Sequence, residues 1–100
     1  MIVHTVMWKL KNNAEGNTKE KNAKLIKEKL EALYGKVKQI KKIEVGVSYN
    51  HGKEEFDVIL ISEFETKKDL EDYQNHPLHK IVSEFVGKVR SERYYLDYEK

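Results

Sequence analysis

The chain has 100 residues, 39% hydrophobic and 36% charged, with a formal net charge of +2 and no cysteine. That length allows one domain, residues 1–100, burying roughly 65% of the surface its unfolded chain would expose. Lack of cysteine excludes disulfides, thiolate metal sites, iron–sulfur clusters and cysteine nucleophiles.

The longest apolar run, Val58-Ile59-Leu60-Ile61, is far too short to span a bilayer, and no apolar stretch of the signal-peptide kind opens the chain. The expected location is cytoplasmic. Arg90 and Arg93 are the two arginines among 19 basic residues. The one dense basic cluster, Lys36, Lys38, Lys41 and Lys42, has no interleaved aromatics. Neither nucleic acid nor a membrane is therefore expected as a partner.

Ile2 to Leu10 alternates, with Ile2, His4, Val6, Trp8 and Leu10 on one face and Val3, Thr5, Met7 and Lys9 on the other. Both faces are largely apolar, which predicts a strand covered on both sides. Asn12 to Asn17 reads as a polar loop, with Asn17 and Glu20 as a capping box. Ala23, Ile26, Leu30, Leu33 and Val37 follow at helical spacing, and Gly35 is expected to end that helix near Tyr34. Ile40, Ile43, Val45, Val47 and Tyr49 mark a second strand, where Gly46 implies a bulge or a close backbone approach. Asn50-His51-Gly52-Lys53 is a turn, and Glu55 to Phe64 is a third strand forming a hairpin with the second. Thr66 and Asp69 cap a short helix over Lys67–Gln74. His76-Pro77 starts another, running to about Val89 and burying Leu78, Ile81, Val82, Phe85 and Val89. Glu92 to Tyr98 closes the chain as a strand, with Tyr94, Leu96 and Tyr98 opposite Arg93, Tyr95 and Asp97.

The order β-α-β-β-α-β is that of an α+β, ferredoxin-like subunit, a four-stranded antiparallel sheet with its helices on one face. The other face carries Val3, Thr5, Met7, Ile59 and Ile61, which a monomer would leave in water. A homodimer packed through its sheet faces, a dimeric α/β barrel, is the expected assembly.

Two readings attach to His4, which sits among apolar neighbours on the helix side: a hydrogen-bonded core histidine, or a pocket contact. His51, in an exposed turn, is given no role. In Tyr73-Gln74-Asn75-His76-Pro77-Leu78-His79, the spacing puts His76 and His79 on one side of a helix start. Such a pair lacks the third ligand a metal site needs, so none is expected, and His76 also reads as a helix cap. Gly-rich phosphate loops and nucleophile elbows are absent. Histidine and tyrosine are then the acid–base groups at hand, and no cofactor is implied. Trp8, Tyr94 and Tyr98 read either as core or as an aromatic wall for a quinol-type substrate.

The opening Ile2-Val3-His4-Thr5-Val6-Met7-Trp8-Lys9-Leu10-Lys11 resembles the first-strand motif of the Dabb family, the stress-responsive dimeric α/β-barrel domain. Tyr73-Gln74-Asn75-His76-Pro77-Leu78-His79 resembles that family's Y-x-x-H-P-x-H signature. Phe64, Asp97 and Tyr98 also fit, so the resemblance spans nearly the whole chain. It implies a ferredoxin-like subunit that dimerises through its sheet. One plant branch of the family closes poly-β-keto chains by aldol condensation without a cofactor. By that resemblance Tyr73 and His79 would be catalytic, His4 would line the pocket and His76 would match the middle histidine. A further pocket histidine of that branch falls where this sequence has Val58. The functional expectation is a small homodimer binding a hydrophobic molecule between helices and sheet, with His4, Trp8 and His76 as ligand contacts. The alternatives are a cofactor-free enzyme, cyclase-like or monooxygenase-like, and a non-catalytic stress-related structural protein.

Overall fold

The computed structural model describes residues 1–52 and 54–100, so the turn read at Asn50-His51-Gly52-Lys53 falls partly outside them, at Lys53. Strands β1 (Ile2–Leu10), β2 (Asn13–Ala14) and β3 (Asn17–Thr18) precede helix α1 (Lys19–Glu31). Then come β4 (Lys42–Val47), β5 (Val58–Phe64), α2 (Lys67–Asn75), α3 (Pro77–Val89) and β6 (Arg90–Glu99). The main sheet has the order β4-β5-β1-β6, antiparallel throughout. All three helices lie on one face, so the ferredoxin-like architecture read from the element order is the one observed.

Alternation sorts the sheet into two faces. Ile2, Val6, Trp8, Leu10, Val45, Val58, Leu60 and Phe64 are buried against Ala23, Ile26 and Leu30 of α1, Leu70 and Tyr73 of α2 and Val82, Val86 and Val89 of α3. The opposite face carries Met7, Ile59 and Ile61, partly buried, beside Tyr94, Leu96 and Tyr98, all roughly half exposed or more.

Several local expectations are corrected. The segment after β1 is not loop throughout, because β2 and β3 form a miniature hairpin. Its two central residues, Glu15 (φ 53) and Gly16 (φ 76), have the positive φ that tight hairpin turns require. Thr18, not Asn17, caps α1, its hydroxyl accepting from the Lys21 amide. Asn17 instead donates through Nδ2 to Asn22, a fully buried residue of α1 that itself donates to the Ala14 carbonyl. Ile81 is 65% exposed, while Val86 is buried. The stripe of α3 runs 82, 86, 89, one step round from the expected line. Tyr49 lies beyond β4 and is fully exposed.

β5 begins at Val58 rather than Glu55. Just ahead of it, the Asp57 amide bonds the Trp8 carbonyl at 2.9 Å. Phe56, which lies ahead of the strand, packs edge-on against Tyr94 of the open face at 5.7 Å. Gly46 keeps the β4–β5 register regular, and a Cβ there would stand 3.1 Å from Ile59 Cγ2, so the close approach is its reason rather than a bulge.

The edge strand β4 is blocked by α1. Lys27 Nζ donates to the Val45 carbonyl at 2.7 Å, and Glu31 Oε2 accepts from the Val45 amide at 3.1 Å. These two groups are thereby denied to an added strand. The Lys27 hydrogen bond holds the Glu31 carboxyl below its ordinary range.

Candidate functional site

The Y-x-x-H-P-x-H spacing is a helix–break–helix device. α2 ends where the His76 amide bonds the Tyr73 carbonyl at 3.1 Å. The His76 side chain then caps α3, its Nδ1 accepting from the Leu78 amide at 3.1 Å, and Pro77 occupies the first turn, where its missing N–H costs nothing. His79, in that same turn, reaches back so that Nδ1–H donates to the Gln74 carbonyl at 3.2 Å. That satisfies one of the carbonyls a helix end leaves open. It also places the proton on Nδ1 and leaves Nε2 as the basic nitrogen of the neutral ring.

The imidazole of His79 lies over Tyr73, ring centroids 4.4 Å apart. Tyr73 is fully buried between His79, Phe64 at 5.1 Å and the edge of His4 at 6.5 Å. Its hydroxyl has no hydrogen-bond partner among the described residues, and burial raises its pKa well above the ordinary phenol value. It stays a neutral O–H. Burial is also the largest influence on His79, holding its pKa below 6.5; the positive charge of Arg93 acts in the same direction and the Gln74 carbonyl against it. His79 is therefore neutral near pH 7.

His4, buried on β1, donates Nδ1–H to Asp97 Oδ1 across the β1–β6 pair at 2.5 Å. Its Nε2 remains for other contacts.

These residues border a cavity of about 250 Å³ between α1, α3 and the sheet. Val6, Trp8, Leu30, Leu60, Val82 and Val86 supply the apolar wall, and His4, His79, Ser83, Arg90 and Arg93 the polar one. Of the residues singled out in the sequence, His4, Trp8 and His79 meet at this cavity. Tyr73 stands behind His79 rather than on the lining, and His76 is engaged as a cap. Tyr94 and Tyr98 lie on the opposite face from Trp8, so the three form neither one aromatic wall nor one core. Among the described residues no three His, Asp or Glu side chains converge as a metal site would need.

Sequence reasoning passed over Asp97, Arg90 and Arg93. Alternation set Asp97 opposite Tyr94, Leu96 and Tyr98 without saying which face the helices cover, and its pairing with His4 follows only from the strand register. His51 is also reassigned: it is partly buried, not free in a turn, and its Nδ1 bonds Asp57 Oδ1 at 2.7 Å. Asp57 is itself fully buried and accepts from the Leu10 amide at 2.8 Å, with Lys19 Nζ 3.6 Å away. A buried carboxylate requires such partners.

Helices on one face of a β4-β5-β1-β6 antiparallel sheet, with a histidine-lined cavity between the layers, define a ferredoxin-like α+β subunit. The model of the stress responsive A/B barrel domain (Dabb) family matches residues 2–100, and the chain belongs to that family. It is similar to a dimeric protein of unknown function with a ferredoxin-like fold from Bacteroides fragilis, at 31% identity and a TM-score of 0.83, covering 99% of this chain and 95% of that one. A dimeric ferredoxin-like protein of unknown function from Thermobifida fusca superposes with a TM-score of 0.81 at 14% identity, covering 99% and 90%. The hydroxynitrile lyase of Passiflora edulis does so at 0.73 and 16%, covering 97% and 90%. The last two show the fold alone. No protein of curated function matches the chain in sequence. Among the described residues no helix is long and apolar enough to cross a membrane.

Proposed function

We propose that this chain is a homodimeric protein that takes up a small, largely apolar molecule in the cavity between helices and sheet. The cavity itself carries the reading: about 250 Å³ of space bounded by Val6, Trp8, Leu60 and Val86, with His4 and His79 among its lining residues. Apolar walls with a few convergent polar groups are the ordinary makeup of a ligand site. Dimerisation is supported by the open face of Met7, Ile59, Ile61, Tyr94, Leu96 and Tyr98, whose apolar surface a soluble monomer avoids exposing, and by the dimeric relative at 31% identity.

A second reading, a cofactor-free acid–base enzyme, is supported by His79. A neutral imidazole with its proton held on Nδ1 has a lone pair on Nε2 able to take a proton α to a carbonyl. In that reading His4 is the partner group across the cavity, and His79→Ala removes turnover while leaving thermal stability nearly unchanged.

Gly87 provides the test of the main reading. It lines the cavity, and a Cβ at this position meets nothing within 4 Å. Gly87→Phe should fold at least as stably, since glycine is a poor helix former, while its ring occupies the cavity. A thermal-shift screen of small aromatic and aliphatic compounds is expected to find stabilising ligands for the natural chain and none for Gly87→Phe. Equal responses from both proteins would remove the cavity as the binding site.

A further inference from the structure

In a regular strand, residues three apart point to opposite faces. Arg90 and Arg93 of β6 are three apart, yet both line the same cavity. The cause is a break in register between Lys9 and Leu10. Trp8 opposes Arg93 and Lys9 opposes Glu92, but Leu10 opposes Arg90, so Ser91 is an extra residue on β6. A bulge of this kind re-aims the side chains that follow it. It turns two guanidinium groups toward the helix side beside Trp8 and Leu10.

Neither arginine makes an ion pair or a side-chain hydrogen bond among the described residues, and no lining residue of the cavity is acidic. Arg93 is steadied instead by the Tyr95 ring, 4.9 Å away. A further donor points the same way. Trp8 lines the cavity, and its indole Nε1 is buried with no acceptor among the described residues. Buried donors ordinarily have partners. The cavity thus combines unmatched donors and two permanent positive charges at the β6 end with an apolar body of Val6, Leu60, Val82 and Val86.

The geometry points to an amphipathic carboxylate as the class of ligand, its head group held by Arg90 and Arg93 and its alkyl or aryl body lying along the apolar wall. This rests on the reading of the cavity as a ligand site and deepens it. A planar carboxylate matches the guanidinium fork, which can bind it through two parallel hydrogen bonds. The apolar wall distinguishes such a molecule from a free inorganic anion.

Calorimetric titration of the dimer with octanoate, octanamide and inorganic phosphate tests it, with amide NMR shifts locating the site. Octanoate is expected to bind at least about tenfold more tightly than octanamide, and Arg90→Gln with Arg93→Gln should abolish that preference. Arg90→Lys with Arg93→Lys, which keeps the charges and removes the forks, should restore part of it. Octanamide binding as tightly as octanoate would overturn the carboxylate while leaving the cavity a ligand site. Phosphate binding as tightly as octanoate would overturn the amphipathic ligand. If no probe shifts the cavity residues, both readings fall.

Discussion

His4 and Asp97, the two ends of a hydrogen bond 2.5 Å long, face each other directly in the β1–β6 register although 93 positions separate them. The imidazole is buried, while about a third of the Asp97 side chain is open to solvent. The bond therefore joins the inner wall of the cavity to the outer groove where Asp97, Ile2 and Leu70 meet.

Asp97→Ala strands the His4 N–H. An unsatisfied buried donor costs about 1–3 kcal/mol, and the lower end applies here because water can reach the vacated position. Asp97→Asn keeps an acceptor and should lose less. Urea unfolding at pH 7 measures both variants, and equal stability for Asp97→Ala and the natural chain would show that the pair contributes nothing.

His79 titrates below the usual 6.5 in the folded chain. The unfolded chain therefore binds a proton there first as pH falls. Stability attributable to this group is fully present above pH 6.5 and declines as pH drops through and below that value. Following the histidine ring-proton resonances by NMR should place the His79 midpoint under 6.5, and His79→Gln should flatten this part of the stability profile. A midpoint above 6.5 would contradict the environment described.

The buried Tyr73 hydroxyl makes no hydrogen bond among the described residues, so it contributes nothing to stability that its ring does not. Tyr73→Phe keeps the stacking on His79 and Phe64 and removes an unsatisfied polar atom. The expected change is neutral to about 1 kcal/mol stabilising, read from thermal melting. A loss above 1 kcal/mol would reveal an acceptor for that hydroxyl.

Leu96 sits at the middle of β6 on the open face, 64% exposed. Leu96→Glu should shift sedimentation from twice the 11.8 kDa chain mass toward a single chain, because a buried carboxylate without a partner is strongly disfavoured at an interface. If the natural chain already sediments as a single copy, the dimer is refuted.

The long elements and the caps of α2 and α3 were legible because they are local. The period-two run from Ile2 to Leu10 marks a strand and the three-and-four spacing of Ala23, Ile26, Leu30 and Leu33 a helix face, and Ile2, Val6, Trp8 and Leu10 are buried with those four. Thr66 and His76-Pro77 mark helix starts through hydrogen bonds spanning two or three residues. His4 and His79 were candidates for the same reason, their settings being written in their immediate neighbours.

What completes the cavity is not local. Alternation assigns Asp97 to a face but cannot name His4 as its partner, since cross-strand register joins segments at opposite ends of the chain. The bond between His51 and Asp57 was hidden for another reason: both residues lie in the irregular segment ahead of β5, where no period fixes a side chain's direction. Counting by twos places Arg90 and Arg93 on opposite faces. Only the extra residue at Ser91, set by how β6 pairs with β1, brings both to one site.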